Sequence, residues 1–316
     1  MENARFSTII EDLKISFRFA SKNVISYLLA LFGVMIVSVL LIVVVAILVF
    51  VPLIFIIGIG NLSTFFESFN GLESIGIANI ALGSIMFALP FLAPFMVAIG
   101  AMFGLGREIV ESEGTSAEGV FTWYKKKFFS LAGGGLTLFL VVVGPIMLIL
   151  LVGTAIYGNQ FLNIALISSG PTTFTHPIAI ILLMIWLALS TGILSMLFPS
   201  IIDGYSVFES VKRSVRISIR YFDRVFGIWM AFLLILGVLI LPFLLIPFIT
   251  NASGPEMILS AGIMLIYGIP AILILTLLYL PAMTIGLTRV YMIVTANEDY
   301  DETLEDTSGP SFIGGV

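Results

Sequence analysis

The sequence predicts an all-α, polytopic integral membrane protein: six transmembrane helices in three parallel hairpin repeats, with amphipathic helices along the cytoplasmic surface. Three observations predict it. The 316-residue chain is 59% hydrophobic and only 10% charged, whereas soluble domains carry about 25% charged residues. Six apolar segments stand at roughly 24–58, 78–104, 129–157, 177–202, 225–250 and 258–293, each long enough as a helix to cross ~30 Å of hydrocarbon. All 14 Lys and Arg fall on one side of the alternation between those segments.

The charge pattern sets the orientation. The N-terminal arm holds Arg5, Lys14, Arg18 and Lys22. The loop after the second segment holds Arg107, Lys125, Lys126 and Lys127. The loop after the fourth holds Lys212, Arg213, Arg216, Arg220 and Arg224, and Arg289 closes the sixth. The alternate loops, 61–77, 158–176 and 251–257, hold none. Basic loops stay inside, so the sequence predicts a multi-pass protein of the cell membrane with both termini cytoplasmic.

The first segment would be about 50 Å long at 1.5 Å per residue, which raises the alternative of two short spans. Two spans would invert everything downstream and split the basic residues between the two sides. One long helix, tilted or kinked near Pro52, is the expectation. The sixth segment has similar excess length, with kinks expected at Pro270 and Pro281. The N-terminus carries acidic residues and too long an apolar run for a signal peptide.

The stretch VFESVKRSVRISIRYFDR, 207–224, concentrates five of the basic residues. As one helix at 100° per residue it places Glu209, Arg213, Arg216, Arg220 and Arg224 on one stripe. Val207, Phe208, Val211, Val215, Ile219 and Phe222 fall on the opposite face. That is an interfacial helix with basic groups toward anionic headgroups, each contributing about 1 kcal/mol. Lys125, Lys126, Lys127 and Lys212 join these residues as expected contacts to anionic lipid. The plainer reading of the same residues is a topology signal alone.

Leu13-Lys14-Ile15-Ser16-Phe17-Arg18 matches Val211-Lys212-Arg213-Ser214-Val215-Arg216. Val120-Phe121 with Lys125 matches Val207-Phe208 with Lys212. Ser7-Thr8-Ile9-Ile10-Glu11 parallels Pro199-Ser200-Ile201-Ile202-Asp203. Gly104-Leu105-Gly106-Arg107 ends the second segment as Gly286-Leu287-Thr288-Arg289 ends the sixth. These matches predict three units, each a basic amphipathic helix followed by a membrane hairpin. All enter from the same side, so the repeats are parallel.

The run from Phe198-Pro199-Ser200 through Asp203 to Glu209-Ser210-Val211-Lys212-Arg213-Ser214 resembles a motif in a broad group of uncharacterised six-helix membrane proteins. Archaeal domains of unknown function belong to that group. The run is also similar to the membrane domain fused to some glycerophosphodiester phosphodiesterases, and Gly104 to Arg107 with Glu118 to Phe121 fits the same pattern. The resemblance implies a six-helix membrane fold. It implies no catalytic residues, and without a soluble phosphodiesterase domain that activity does not transfer.

Chemistry-bearing residues are sparse. The chain has no Cys and one His, His176, in an expected outside loop without ligand partners, whereas a metal site needs three or four ligands. The middle of every apolar segment lacks Asp, Glu, Lys, Arg and His, which argues against a carboxylate proton relay or a voltage sensor. Arg107, Asp203 and Arg289 stand at expected cytoplasmic helix ends as candidates for pairing, with Glu108 beside them. Pro90 and Pro94, Pro242 and Pro247, and Pro270 and Pro281 mark candidate helix breaks, but the plainer and preferred reading is that membrane helices tolerate proline. Ser190, Thr191 and Ser195 are available as hydroxyl donors there. Gly133-Gly134-Gly135 suits close helix contact, and Trp123-Tyr124 suits an interfacial anchor.

Glu108, Glu111, Glu113 and Glu118 read as a solvated acidic loop. Asn61 and Asn251 open glycosylation sequons in expected outside loops. Residues 297–316 carry six acidic residues and read as a disordered cytoplasmic tail. No catalytic, cofactor-binding or metal site is expected, and no nucleic acid partner. The expected function is a non-catalytic scaffold or partner subunit, in contact with membrane lipids and open to a protein partner. The alternative is a carrier of lipid or a neutral apolar solute. A membrane lipid enzyme would require Asp203, Glu108 and Arg107 to meet.

Overall fold

The computed structural model describes residues 6–58, 61, 74–112, 114–157, 177–249 and 255–307. Within them the chain is helical, without strands. The helices are α1 Phe6–Lys22, α2 Val24–Ile57, α3 Ser74–Ser112, α4 Ala117–Lys126, α5 Phe128–Tyr157 and α6 Pro177–Ile193. They continue as α7 Leu197–Asp203, α8 Val207–Arg220, α9 Phe222–Ile249, α10 Pro255–Ile274 and α11 Leu280–Thr307, with a π-helical turn Leu275–Tyr279 joining the last two. Six stretches are long and apolar enough to cross a membrane.

α1, α4 and α8 each precede a long apolar helix, and each ends at one non-helical residue. That residue is Asn23 (φ −109°, ψ 19°), Lys127 (φ −115°, ψ 15°) or Tyr221 (φ −115°, ψ 41°). At all three the N–H donates four residues back and the carbonyl accepts from four residues ahead, at 2.8–3.1 Å. The bridge-region backbone turns the chain while keeping both hydrogen bonds. Counted back from this hinge, the same positions are buried: Ser16, Val120 and Ser214 seven residues before it, and Ala20, Tyr124 and Ser218 three before it. The sequence match of Lys14 to Lys212 keeps this register. The match of Val120 to Val207 does not, because it is seven residues out of step with the hinges.

The six apolar stretches divide into an inner and an outer set. In the first helix of each hairpin 11%, 12% and 17% of the apolar window is buried; in the second the shares are 61%, 39% and 28%. α3, α7 and α11 contact one another and form the centre, with Phe103 stacked on Phe198 at 5.5 Å. Glycines permit the close approach. A Cβ on Gly106 would lie 3.2 Å from the backbone oxygen of Thr284, and one on Gly135 would collide with Met96, so backbones of neighbouring helices nearly touch. Gly133, Gly134 and Gly135 of α5 serve this close contact as expected. The large buried side chains gather at the end that carries the basic residues, where Tyr27, Leu105, Ile201, Ile217 and Ile285 are all fully buried.

Several boundaries differ from the sequence reading. The second segment runs on to Ser112 and carries Arg107 within its helix. The helices pass unbroken through Pro52, Pro90, Pro94, Pro145, Pro242, Pro247 and Pro270. Among the described residues the apolar segments are interrupted at two places, the second of them beside Pro281 as expected. One is at 194–196, where Leu197 N–H donates to Leu194 O, three back. The other is the π turn, where Leu280 N–H reaches back five residues to Leu275 O. Pro281 has no N–H to offer Leu277, and the wider turn absorbs that loss. α11 continues through Thr307, into the stretch expected as a disordered tail. His176, Glu113, the Asn251 sequon and residues 308–316 lie outside the described residues.

Candidate functional site at the basic end of the bundle

The break at 194–196 exposes a carbonyl that no backbone donor reaches in the α register. Both Ser214 Oγ and Ser218 Oγ donate to Ile193 O, at 2.8 and 2.9 Å. α8 thus docks through a serine face, with Ser210, Ser214 and Ser218 all buried. This adds a packed face to the two read from that stretch. Phe208, Ile219 and Phe222 are exposed, while Ser210, Ser214 and Ser218 pack inward together with fully buried Ile217. α8 also stops at Arg220 because Tyr221 is the hinge, which places Arg224 on α9 and off the basic stripe. Ser206 starts α8 with a reciprocal cap: Glu209 N–H donates to Ser206 Oγ, and Ser206 N–H and Oγ donate to Glu209 at 3.1 and 2.7 Å. These bonds, chiefly that from the hydroxyl, hold the Glu209 carboxyl below its ordinary value.

Two ion-pair junctions form where the inner helices end. In the first, Arg107 of α3 donates to Asp203 of α7 at 2.8 Å and to Glu111 at 2.8 Å. Tyr291 of α11 donates its hydroxyl to the other oxygen of Asp203 at 3.0 Å. Helices α3, α7 and α11 are therefore tied through one carboxylate. Arg213, expected at the lipid surface, instead covers the Tyr205 ring at 4.3 Å and donates to the Tyr205 hydroxyl. A guanidinium stacked on an aromatic face keeps its charge while shedding water.

In the second junction Arg224 Nε and Nη2 donate to Asp12 at 2.9–3.2 Å, and Arg289 Nη1 donates to the same carboxylate. Asp12 is 3% exposed by its side chain; the two arginines are 20% and 22% exposed. The expected partner of Arg289 was Asp203, and of Arg224 lipid phosphate; both find Asp12. Sequence reasoning missed Asp12. Its signal was its place four residues before Ser16 on what proves to be the buried face of α1.

Glu108 does not join Arg107 and Asp203. Its carboxylate accepts from Thr115 Oγ1 at 2.7 Å and from Trp123 Nε1 at 2.8 Å. Glu108, read as part of a solvated acidic loop, instead ties α3 to the start of α4, and Trp123 faces the protein, with Lys126 over its ring at 5.8 Å. Tyr124 is buried as well, against Ser38, and its burial pushes the hydroxyl's pKa up. Lys125, Lys126, Lys212 and Arg216 remain exposed, Arg220 lies over the Tyr221 ring, and Lys127 is the second hinge. Both oxygens of Asp203 and both of Asp12 accept hydrogen bonds from arginine or tyrosine donors, which fixes the two carboxylates in place.

Comparison with family models, curated proteins and solved structures finds no match. The geometry at the basic end therefore carries the functional reading.

Proposed function

We propose that the protein is a non-catalytic scaffold or partner subunit of the cell membrane, with both termini and the basic end cytoplasmic. One observation carries this reading: the three inner helices are locked together at the basic end. The near backbone contact of Gly106 with Thr284 and the shared carboxylate of Asp203 join them without intervening space. A fixed platform is better served by such a lock than a catalyst, and the carboxylates there already have donors.

The equal hinge geometry and the shared buried register of α1, α4 and α8 support three parallel repeats. The exposed row Phe208, Ile219 and Phe222, beside Lys212 and Arg216, supports α8 lying in the cytoplasmic interface on anionic headgroups. α4 carries Lys125 and Lys126 beside exposed Phe121 in the same way. The resemblance to uncharacterised six-helix membrane proteins adds a fold and no activity. The second reading is a carrier of lipid or a neutral apolar solute; the break at 194–196 and the π turn at Leu275–Tyr279 favour it, since broken helices line transport sites.

Native mass spectrometry of the protein extracted in its own lipids separates the two. A retained protein partner supports the scaffold. A retained small molecule with no partner sinks it and supports the carrier. Orientation is tested with single cysteines, which the natural chain lacks: Ser21→Cys and Ser112→Cys should react only from the cytoplasm, Asn61→Cys only from outside.

A further inference from the structure

The two junctions stand at matching places, one at Gly-Leu-Gly-Arg107 within α3 and one at Gly-Leu-Thr-Arg289 within α11, yet their charges differ. Arg107 faces two carboxylates, Asp203 and Glu111. Arg289 shares a single carboxylate, Asp12, with a second guanidinium, Arg224. With Arg213 over the Tyr291 ring at 5.8 Å, the first junction matches two guanidiniums to two carboxylates, while the second is left with a surplus positive charge. The extra cation is particular to the third unit. Three residues beyond the hinge, the first two units carry Ser26 and Ser130 where the third carries Arg224.

The unspent charge has donors to present. Bonds to Asp12 use Arg224 Nε and Nη2 and Arg289 Nη1. Arg224 Nη1 and the Nε–Nη2 edge of Arg289 are not engaged by Asp12, and each side chain keeps about a fifth of its surface exposed. Asp12 holds both guanidiniums in place, so little side-chain freedom is lost when a ligand arrives. The surrounding acids, Glu11 and Asp223, are exposed to solvent, where their charge is screened. Arg224 stands within one turn of the hinge at which the chain leaves the α8 direction, the depth of the headgroup layer if α8 lies in the interface. Planar donor edges from two arginines suit an oxyanion with several acceptor oxygens.

We propose that the Asp12–Arg224–Arg289 junction binds a phosphate oxyanion, that of an anionic phospholipid in the cytoplasmic leaflet. The site rests on the inner-leaflet orientation proposed above, but not on the choice between scaffold and carrier. The test is native mass spectrometry of the full chain in detergent, titrated with phosphatidylglycerol, for the wild type, Arg289→Lys and Arg289→Gln. Arg289→Gln keeps the Arg224–Asp12 pair and removes only the surplus charge. The expected result is one lipid bound more tightly than the rest, with affinity about tenfold lower in Arg289→Gln and largely kept in Arg289→Lys. Equal affinity in all three folded proteins overturns the site. Displacement of the lipid by equimolar inorganic phosphate keeps the oxyanion chemistry and overturns the lipid assignment. Single-cysteine labelling that places this end outside would refute the orientation without touching the affinities.

Discussion

Asp12 in the first helix and Arg289 in the last share an ion pair across 277 positions of sequence. Arg224, at the start of α9, grips the same carboxylate from the other side. The pair closes the first described helix of the chain onto the last.

Asp12→Asn should therefore leave two guanidiniums facing each other over a neutral amide. Removing one partner of a buried pair costs about 3–5 kcal/mol, and the partial exposure of both arginines puts the expected loss near the lower figure. Arg107→Gln, at a more open junction, should cost about 1 kcal/mol. Thermal unfolding in detergent, followed by Trp fluorescence, ranks the two; an Asp12→Asn protein as stable as Arg107→Gln contradicts the burial argument.

The close approach of α3 and α11 makes a second test. Gly106→Ala sets a methyl 3.2 Å from backbone atoms that have no rotamer to change, with an expected cost of about 1–3 kcal/mol. Gly144→Ala meets nothing within 4 Å, and the gain in helix propensity should make it neutral or up to about 1 kcal/mol stabilising. Opposite signs in the same unfolding assay are the expected outcome.

The carbonyl of Ile193 predicts non-additivity. Ser214→Ala or Ser218→Ala alone leaves the other hydroxyl on that oxygen and should cost about 0.5–1 kcal/mol. The double variant orphans a buried carbonyl, so its loss should exceed the sum of the singles by about 1 kcal/mol. A strictly additive cycle would show that the serines do not act through Ile193.

The cap of α8 predicts a pH dependence. Glu209 has a lowered carboxyl pKa in the folded protein, so its contribution is present at neutral pH. It begins to fade below the unfolded value of about 4.3 and is gone once the pH has dropped past the lowered folded value. Glu209→Gln should flatten the acid limb of the stability profile and leave neutral pH nearly unchanged. Equal acid sensitivity of the variant and the wild type would count against the cap.

Much of the fold was legible before any coordinates. Hydropathy and charge are properties of single residues summed over windows, so the six apolar segments and the one-sided basic loops could be read directly. The hinge register shared by Lys14 and Lys212 was visible because those stretches share a pattern. It was misread at Val120, where the same residue types recur seven positions out of register. Proline alone did not locate the breaks: neighbours accommodate most of these residues in unbroken helices, Pro281 stands beside the π turn as expected, and the break at 194–196 contains no proline to mark it.

The sequence by itself determined which segments are apolar enough to span a bilayer, where the positive charge lies, and that Arg107, Asp203 and Arg289 stand where those segments give way to polar residues. Only the tertiary structure decided which of them pair. It gave Arg107 to Asp203, Arg289 and Arg224 to Asp12, and turned the serines of α8 inward. The reason is geometric. An ion pair depends on the distance between side chains far apart in sequence, and a one-residue hinge at Tyr221 rotates everything after it onto a different axis. Composition and periodicity carry no record of that turn.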